Sequence, residues 1–137
     1  MANVFQQHGA FSWSELMTTN VAAAKDFYAR LFGWQMRDQP VPGGMGEMIY
    51  TVVKAGDQEV GGMMAMPPGM EGMPPCWGGY VTVDNVDESV KLVEELGGQV
   101  KLPPMDIPDV GRFAMIQDPQ GAVLSIITYT MPSEACA

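Results

Sequence analysis

Residues 11–36, FSWSELMTTNVAAAKDFYARLFGWQM, decide the fold. Phe11, Trp13, Glu15 and Met17 alternate with Ser12, Ser14, Leu16 and Thr18, which is the period of a β-strand. Asn20 can accept a hydrogen bond from a free amide of the following turn, so a helix is expected to start there. Ala24, Phe27, Tyr28 and Leu31 stand at i, i+3, i+4 and i+7, one apolar stripe, and Gly33 suits the left-handed residue that closes a helix. Trp34, Met36 and Asp38 open a second strand.

The same unit returns over 76–101, CWGGYVTVDNVDESVKLVEELGGQVK, with different chemistry. Asn20 and Asn85 stand 65 residues apart (85 − 20), and each is followed by Val. That offset also pairs Leu31 with Leu96, Gly33 with Gly98, and the face Trp13, Glu15, Met17 with Gly78, Tyr80, Thr82. Asn85 and Glu88 have capping-box spacing, and Val86, Val90, Leu92, Val93 and Leu96 supply the apolar stripe. A repeat of this length points to two copies of one supersecondary unit.

Outward from these units, residues 39–46 and 103–111 read as Pro- and Gly-rich loops, and 47–54 as a strand. A turn at 55–57 leads to a strand over 58–66, weakened by Gly61 and Gly62. Residues 99–101 are a short strand, 112–117 another, and Asp118-Pro119-Gln120-Gly121 a turn into a closing apolar strand, 122–129. Residues 67–75, PPGMEGMPP, exclude regular structure and mark a hinge or flap. The predicted organisation is an α+β chain of two βαβββ modules: a loosely held arm over 1–9, module one over 10–66, the hinge at 67–75, module two over 76–130, and a tail over 131–137.

Of the residues, 47% are hydrophobic and 17% charged, a globular balance. The net charge of −9, with seven Lys and Arg spread singly, argues against nucleic acid, whose phosphates need clustered cations. No run of about 18 apolar residues is present, so no membrane span is expected. With no secretory pattern at the N-terminus and only Cys76 and Cys136, a reducing cytoplasm is the expected compartment.

F-S-W-S-E-L, N-V-A-A-A-K-D-F-Y-A-R-L-F-G-W, Y-V-T-V-D-N-V-D and D-P-Q-G-A together resemble the vicinal oxygen chelate superfamily, which contains glyoxalases, bleomycin-resistance proteins and extradiol dioxygenases. The resemblance covers residues 10–130. It implies paired modules forming a cupped mixed sheet with helices outside, and a site in the cup, often at a homodimer interface. Metal-binding members place His, Glu or Gln at positions that fall here on Trp13, roughly Met64, Gly78 and Ser125, the last where relatives carry Glu after the D-P-x-G turn. None of these suits zinc, iron or manganese, so no metal cofactor is expected. His8, the only histidine, lies in the arm.

Glu15, in phase with Trp13 and Met17, is the candidate acid or base if that face is partly closed to water. Pairing with Arg112 or Tyr80 to fix the strands is the structural alternative. Trp13, Met17, Tyr50, Met64, Gly78, Tyr80 and Ser125 are the candidate ligand contacts: hydroxyls to orient a polar group, aromatic rings to stack, Met to adapt to shape. Met45, Met48, Met63, Met64, Met66, Met70 and Met73 crowd one region, but their irregular spacing without His or Cys favours packing over copper(I). The expected function is small-molecule binding, either with lyase or isomerase chemistry or as non-catalytic capture of a drug or metabolite. A domain that acts through its dimer surface is a third possibility.

Overall fold

Local signals place the elements, and tertiary contacts adjust them. The computed structural model describes residues 3–41, 48–66, 72–107 and 110–130. The order is β1 (Phe11–Thr18), α1 (Val21–Phe32), β2 (Gln35–Val41), β3 (Met48–Ala55), β4 (Gln58–Ala65), β5 (Cys76–Thr82), α2 (Val86–Glu95), β6 (Gln99–Ile107), β7 (Gly111–Gln117) and β8 (Val123–Tyr129). The strand–helix–strand–strand–strand unit therefore occurs twice. Asn20 accepts from the Ala23 amide and Asn85 from the Glu88 amide, each cap contributing about 1 kcal/mol. Gly33 ends α1 at φ +74°. Gly56 turns the β3–β4 hairpin at φ +62°, and the Asp118 carboxylate accepts from the Gln120 and Ala122 amides ahead of β8.

Contacts divide the chain into two units, Trp13–Gly78 and the remainder on either side of it. In the first unit the strand order is β2-β3-β4-β1, with β1 and β4 parallel. Its core joins Leu16, Val53 and Met63 to Val21, Ala24, Tyr28, Trp34 and Met36. The expected α1 stripe is thus corrected. Val21, Ala24 and Tyr28 face the sheet, while Phe27 and Leu31 are 58% and 56% exposed. At the last turn the helix meets rings rather than strands, since Tyr28 lies 5.7 Å from Trp34 and 5.4 Å from Trp77.

In the second unit the order is β5-β8-β7-β6, with β5 and β8 parallel and a core of Val83, Val86, Ala114 and Ile126 under α2. Leu92 and Leu96, placed in its stripe from sequence, are exposed. Two expected loops are partly strand. Residues 39–41 belong to β2, and β6 runs on through Pro103 and Pro104 to Ile107 with two register shifts. Each is the outer strand of its unit's sheet, where a proline whose N–H position faces outward costs no ladder bond, and Pro103 and Pro104 fall within the second register shift of β6.

The N-terminal segment is not loosely held. The Gly9 amide donates to the Thr82 carbonyl, the Thr82 amide to that of Ala10, and the Thr82 hydroxyl to the Val4 carbonyl. Phe5 packs edge-on against Tyr129, and the Asp84 amide donates to His8 Nδ1. His8 is thereby occupied as an acceptor. The rest of the first loop, most of the hinge (67–71) and the tail with Cys136 lie outside the described residues.

Candidate functional site

Strand alternation sorts β1 into two faces. Leu16 joins the helix-side core, so Trp13, Glu15 and Met17 take the other face, as expected. In the parallel register Glu15 lies opposite Gly62 and Met17 opposite Met64. Val52 flanks Gly62 from the antiparallel side. The Tyr50 ring lies directly over Gly62, where any Cβ would collide with it. Its hydroxyl accepts from Trp13 Nε1 at 2.7 Å. The first unit thus brings together Trp13, Glu15, Met17, Tyr50 and Met64 on one face, with Trp13 and Tyr50 bonded to each other.

Glu15 is 4% exposed and its side chain is engaged. No buried side-chain nitrogen or oxygen among the described residues lacks a partner, so this carboxyl group is built in rather than stranded. Pairing with Arg112 is corrected, because Arg112 spends its guanidinium elsewhere. Nε and Nη2 donate to Asp87, and Nη1 donates to Asp106. Those bonds hold the Asp87 carboxyl below its usual range and raise the already high Arg112 value. Asp38 is likewise lowered, first by its hydrogen bond from Lys25 and then by that from Thr51.

In the second unit Tyr80 stands opposite Ser125, which in turn faces Met115 across the β7–β8 ladder. Tyr80 and Ser125 are both buried, with the Tyr80 ring 6.3 Å from Phe113. Gly78 lies two residues before Tyr80 in β5, and a Cβ there would meet nothing within 4 Å. The four positions to which the resemblance assigns metal ligands, Trp13, roughly Met64, Gly78 and Ser125, carry an indole, a thioether, no side chain and a neutral hydroxyl. That donor set does not fit a divalent cation, which wants imidazole, carboxylate or thiolate. Among the described residues no group of three or more His, Cys, Asp or Glu could hold a metal ion. Met63 is fully buried in the first core, which explains one member of the Met-rich stretch by packing. Met45 and Met70 lie outside the described residues.

Glu15 lines neither of two hollows, one in each unit. One, of about 260 Å³, lies on the helix side of the first unit and is lined by Ser14, Trp34, Val53, Val60, Gly61 and Trp77. The other, of about 140 Å³, lies beside the N-terminal segment, between Phe5, Gln6, Thr82, Val83, Asp84, Thr128 and Tyr129. Trp34 immediately precedes β2, and Trp77 lies in β5. The hollow between them also takes in Val53, which stands at the register shift between β3 and β4 that no sequence signal marks.

The family model of the Glyoxalase/Bleomycin resistance protein/Dioxygenase superfamily matches residues 10–126. The chain belongs to this superfamily. It is 46% identical over 121 residues to CFP32 of Mycobacterium tuberculosis, a protein that carries a glyoxylase name, covering 88% of this chain and 46% of that one. It is 34% identical over 127 residues to the anthracycline biosynthesis protein DnrV of Streptomyces peucetius, with 86% and 46% covered. The chain spans about half the length of the curated relatives it matches. The methylmalonyl-CoA epimerase structure from Mycobacterium tuberculosis aligns at TM-score 0.64 and 13% identity, over 100% of this chain and 97% of the epimerase. That likeness concerns the fold of this glyoxalase-superfamily chain and not its activity. No described helix is long and apolar enough to cross a membrane.

Proposed function

We propose that this superfamily member binds a small organic molecule against the Trp13, Glu15 and Met17 face. In this proposal Glu15 serves as acid or base in a lyase or isomerase reaction run without a divalent metal. The observation that carries the proposal is a carboxyl group only 4% exposed on a face otherwise built of aromatic and Met side chains. There a substrate would displace Tyr50 and Trp13 from each other, gaining a hydroxyl and an indole as partners. Met17 and Met64 adapt to its apolar part. In an isomerase, Glu15 removes a proton from the substrate and returns it, leaving the composition unchanged. The active form is a homodimer.

Non-catalytic capture of a drug or metabolite is the second reading, favoured by the bonded Trp13–Tyr50 pair, which makes an aromatic wall needing no chemistry. Glu15→Gln separates the two. It keeps the shape and a hydrogen-bonding end but cannot carry the proton. Turnover of a substrate found by screening should fall by at least about 100-fold while binding weakens little. Unchanged turnover refutes the acid–base role, and binding that survives Glu15→Gln with modest loss, together with no turnover in wild type, supports capture.

A further inference from the structure

α1 is amphipathic, yet no residue of it is buried. Phe27, Leu31 and Phe32 are each more than half exposed, and Trp77 and Val60 are 41% and 38% exposed. The rings are continuous. Phe27 lies 4.9 Å from Tyr28, Tyr28 lies 5.4 Å from Trp77, and Phe32 lies 4.8 Å from Trp34. At the end of this strip sits the 260 Å³ hollow walled by Trp34 and Trp77. One face therefore carries both protruding apolar side chains and a recess with room to take one of them.

Charge narrows the partner. A chain of net charge −9 repels its own kind over most of its surface. On α1 the charges cancel locally, Asp26 with Arg30 at 3.0 Å and Lys25 with Asp38 at 2.9 Å. The exposed Leu92 of α2 and Leu96 at its C-cap share that helix instead with Glu88, Glu94 and Glu95, with Lys91 its only cation and Arg112 paired to Asp87. Knob, recess and neutral rim on the same patch are what an isologous contact requires, since a twofold axis presents each feature to its complement. The five exposed side chains offer roughly 500 Å² per copy, or about 1,000 Å² across the contact, the threshold for a specific interface.

We propose that the α1 face centred on Phe27, Leu31 and Phe32 docks a second copy of this chain, with an α1 side chain of each copy seated in the Trp34–Trp77 hollow of the other. This rests on the homodimer reading above and names its surface. Sedimentation velocity of the full chain over a concentration series tests it, with far-UV circular dichroism to verify folding. Wild type is expected as a dimer that salt leaves intact, because the rim is neutral. Leu31→Glu should shift the dissociation constant upward at least 100-fold, Phe27→Ser at least tenfold, and Leu96→Glu should leave it unchanged. Two variants are used so that a misfolded one does not end the test. A monomeric wild type overturns the homodimer reading and this proposal with it. A dimer that survives both α1 variants, or that Leu96→Glu dissociates, overturns only the assignment of this face. A monomer whose Trp fluorescence responds to added indole would make the hollow a small-ligand site and likewise overturn the proposal.

Discussion

Gly61 and Gly62 are neighbours in β4, yet the same alanine substitution should act on different things. A Cβ at Gly61 drives into the Ser14 backbone carbonyl, which the parallel β1–β4 ladder holds in place. Relief requires the strands to part, and overpacking of this kind costs about 1–3 kcal/mol. The stiffer unfolded chain returns about 0.4–1 kcal/mol, so a net loss of about 1–2 kcal/mol is expected. A Cβ at Gly62 meets the Tyr50 ring instead, the far end of a side chain that can swing away. The loss includes the bond from Trp13 to Tyr50, about 0.5–1.5 kcal/mol, which the same gain nearly offsets. At about 3–5 °C per kcal/mol for a chain of this size, Gly61→Ala should lower the Tm by roughly 3–10 °C. Gly62→Ala should move it by no more than about 2 °C while altering Trp fluorescence. Thermal melts followed by circular dichroism decide it. A Gly61→Ala protein as stable as wild type, or a Gly62→Ala protein that is the less stable of the two, refutes the packing described for this face.

Two further outcomes follow from the pairs outside that face. Asp38 and Asp87 have lowered folded pKa values, so the stability they supply is full above their unfolded values near 4 and is lost as pH falls through the lower folded values. Melting temperatures of Lys25→Met and Arg112→Met should accordingly show a shallower decline below about pH 4 than wild type, and an unchanged acid limb would show that the pairs contribute nothing. Thr82→Val removes the 2.6 Å bond to the Val4 carbonyl, at a cost of about 1 kcal/mol. Amide exchange at Gly9 and Asp84 should rise as the N-terminal segment loosens. Protection equal to wild type would mean that Phe5 and His8 hold it without help.

Much of the fold was legible because its signals are local. Asn20, Asn85, Gly33 and Asp118 act within four residues of themselves, and the strand period alone put Trp13, Glu15 and Met17 on one face. What failed was what depends on partners distant in sequence. Phe27 and Leu31 satisfy a helical stripe, but helical spacing does not say where the sheet ends beneath the helix. Pro103 and Pro104 read as a loop until β6 proves to be the outer strand of its sheet. Arg112 could be matched with any carboxylate, and the choice of Asp87 and Asp106 is made by α2 packing over β7 and by β6 pairing with it. The bonding of Trp13 to Tyr50 over Gly62 follows from registers across three strands, which no single segment carries.

The central claim is that ligand binds on the Glu15 face, and not in the hollow on the helix side of the same sheet. A thermal-shift screen of small aldehydes, phenols and antibiotics, repeated on Trp13→Ala and Trp77→Ala proteins, tests this most directly. The account predicts a compound whose stabilisation of wild type is lost in Trp13→Ala and kept in Trp77→Ala. A compound whose effect survives Trp13→Ala and disappears in Trp77→Ala would contradict it.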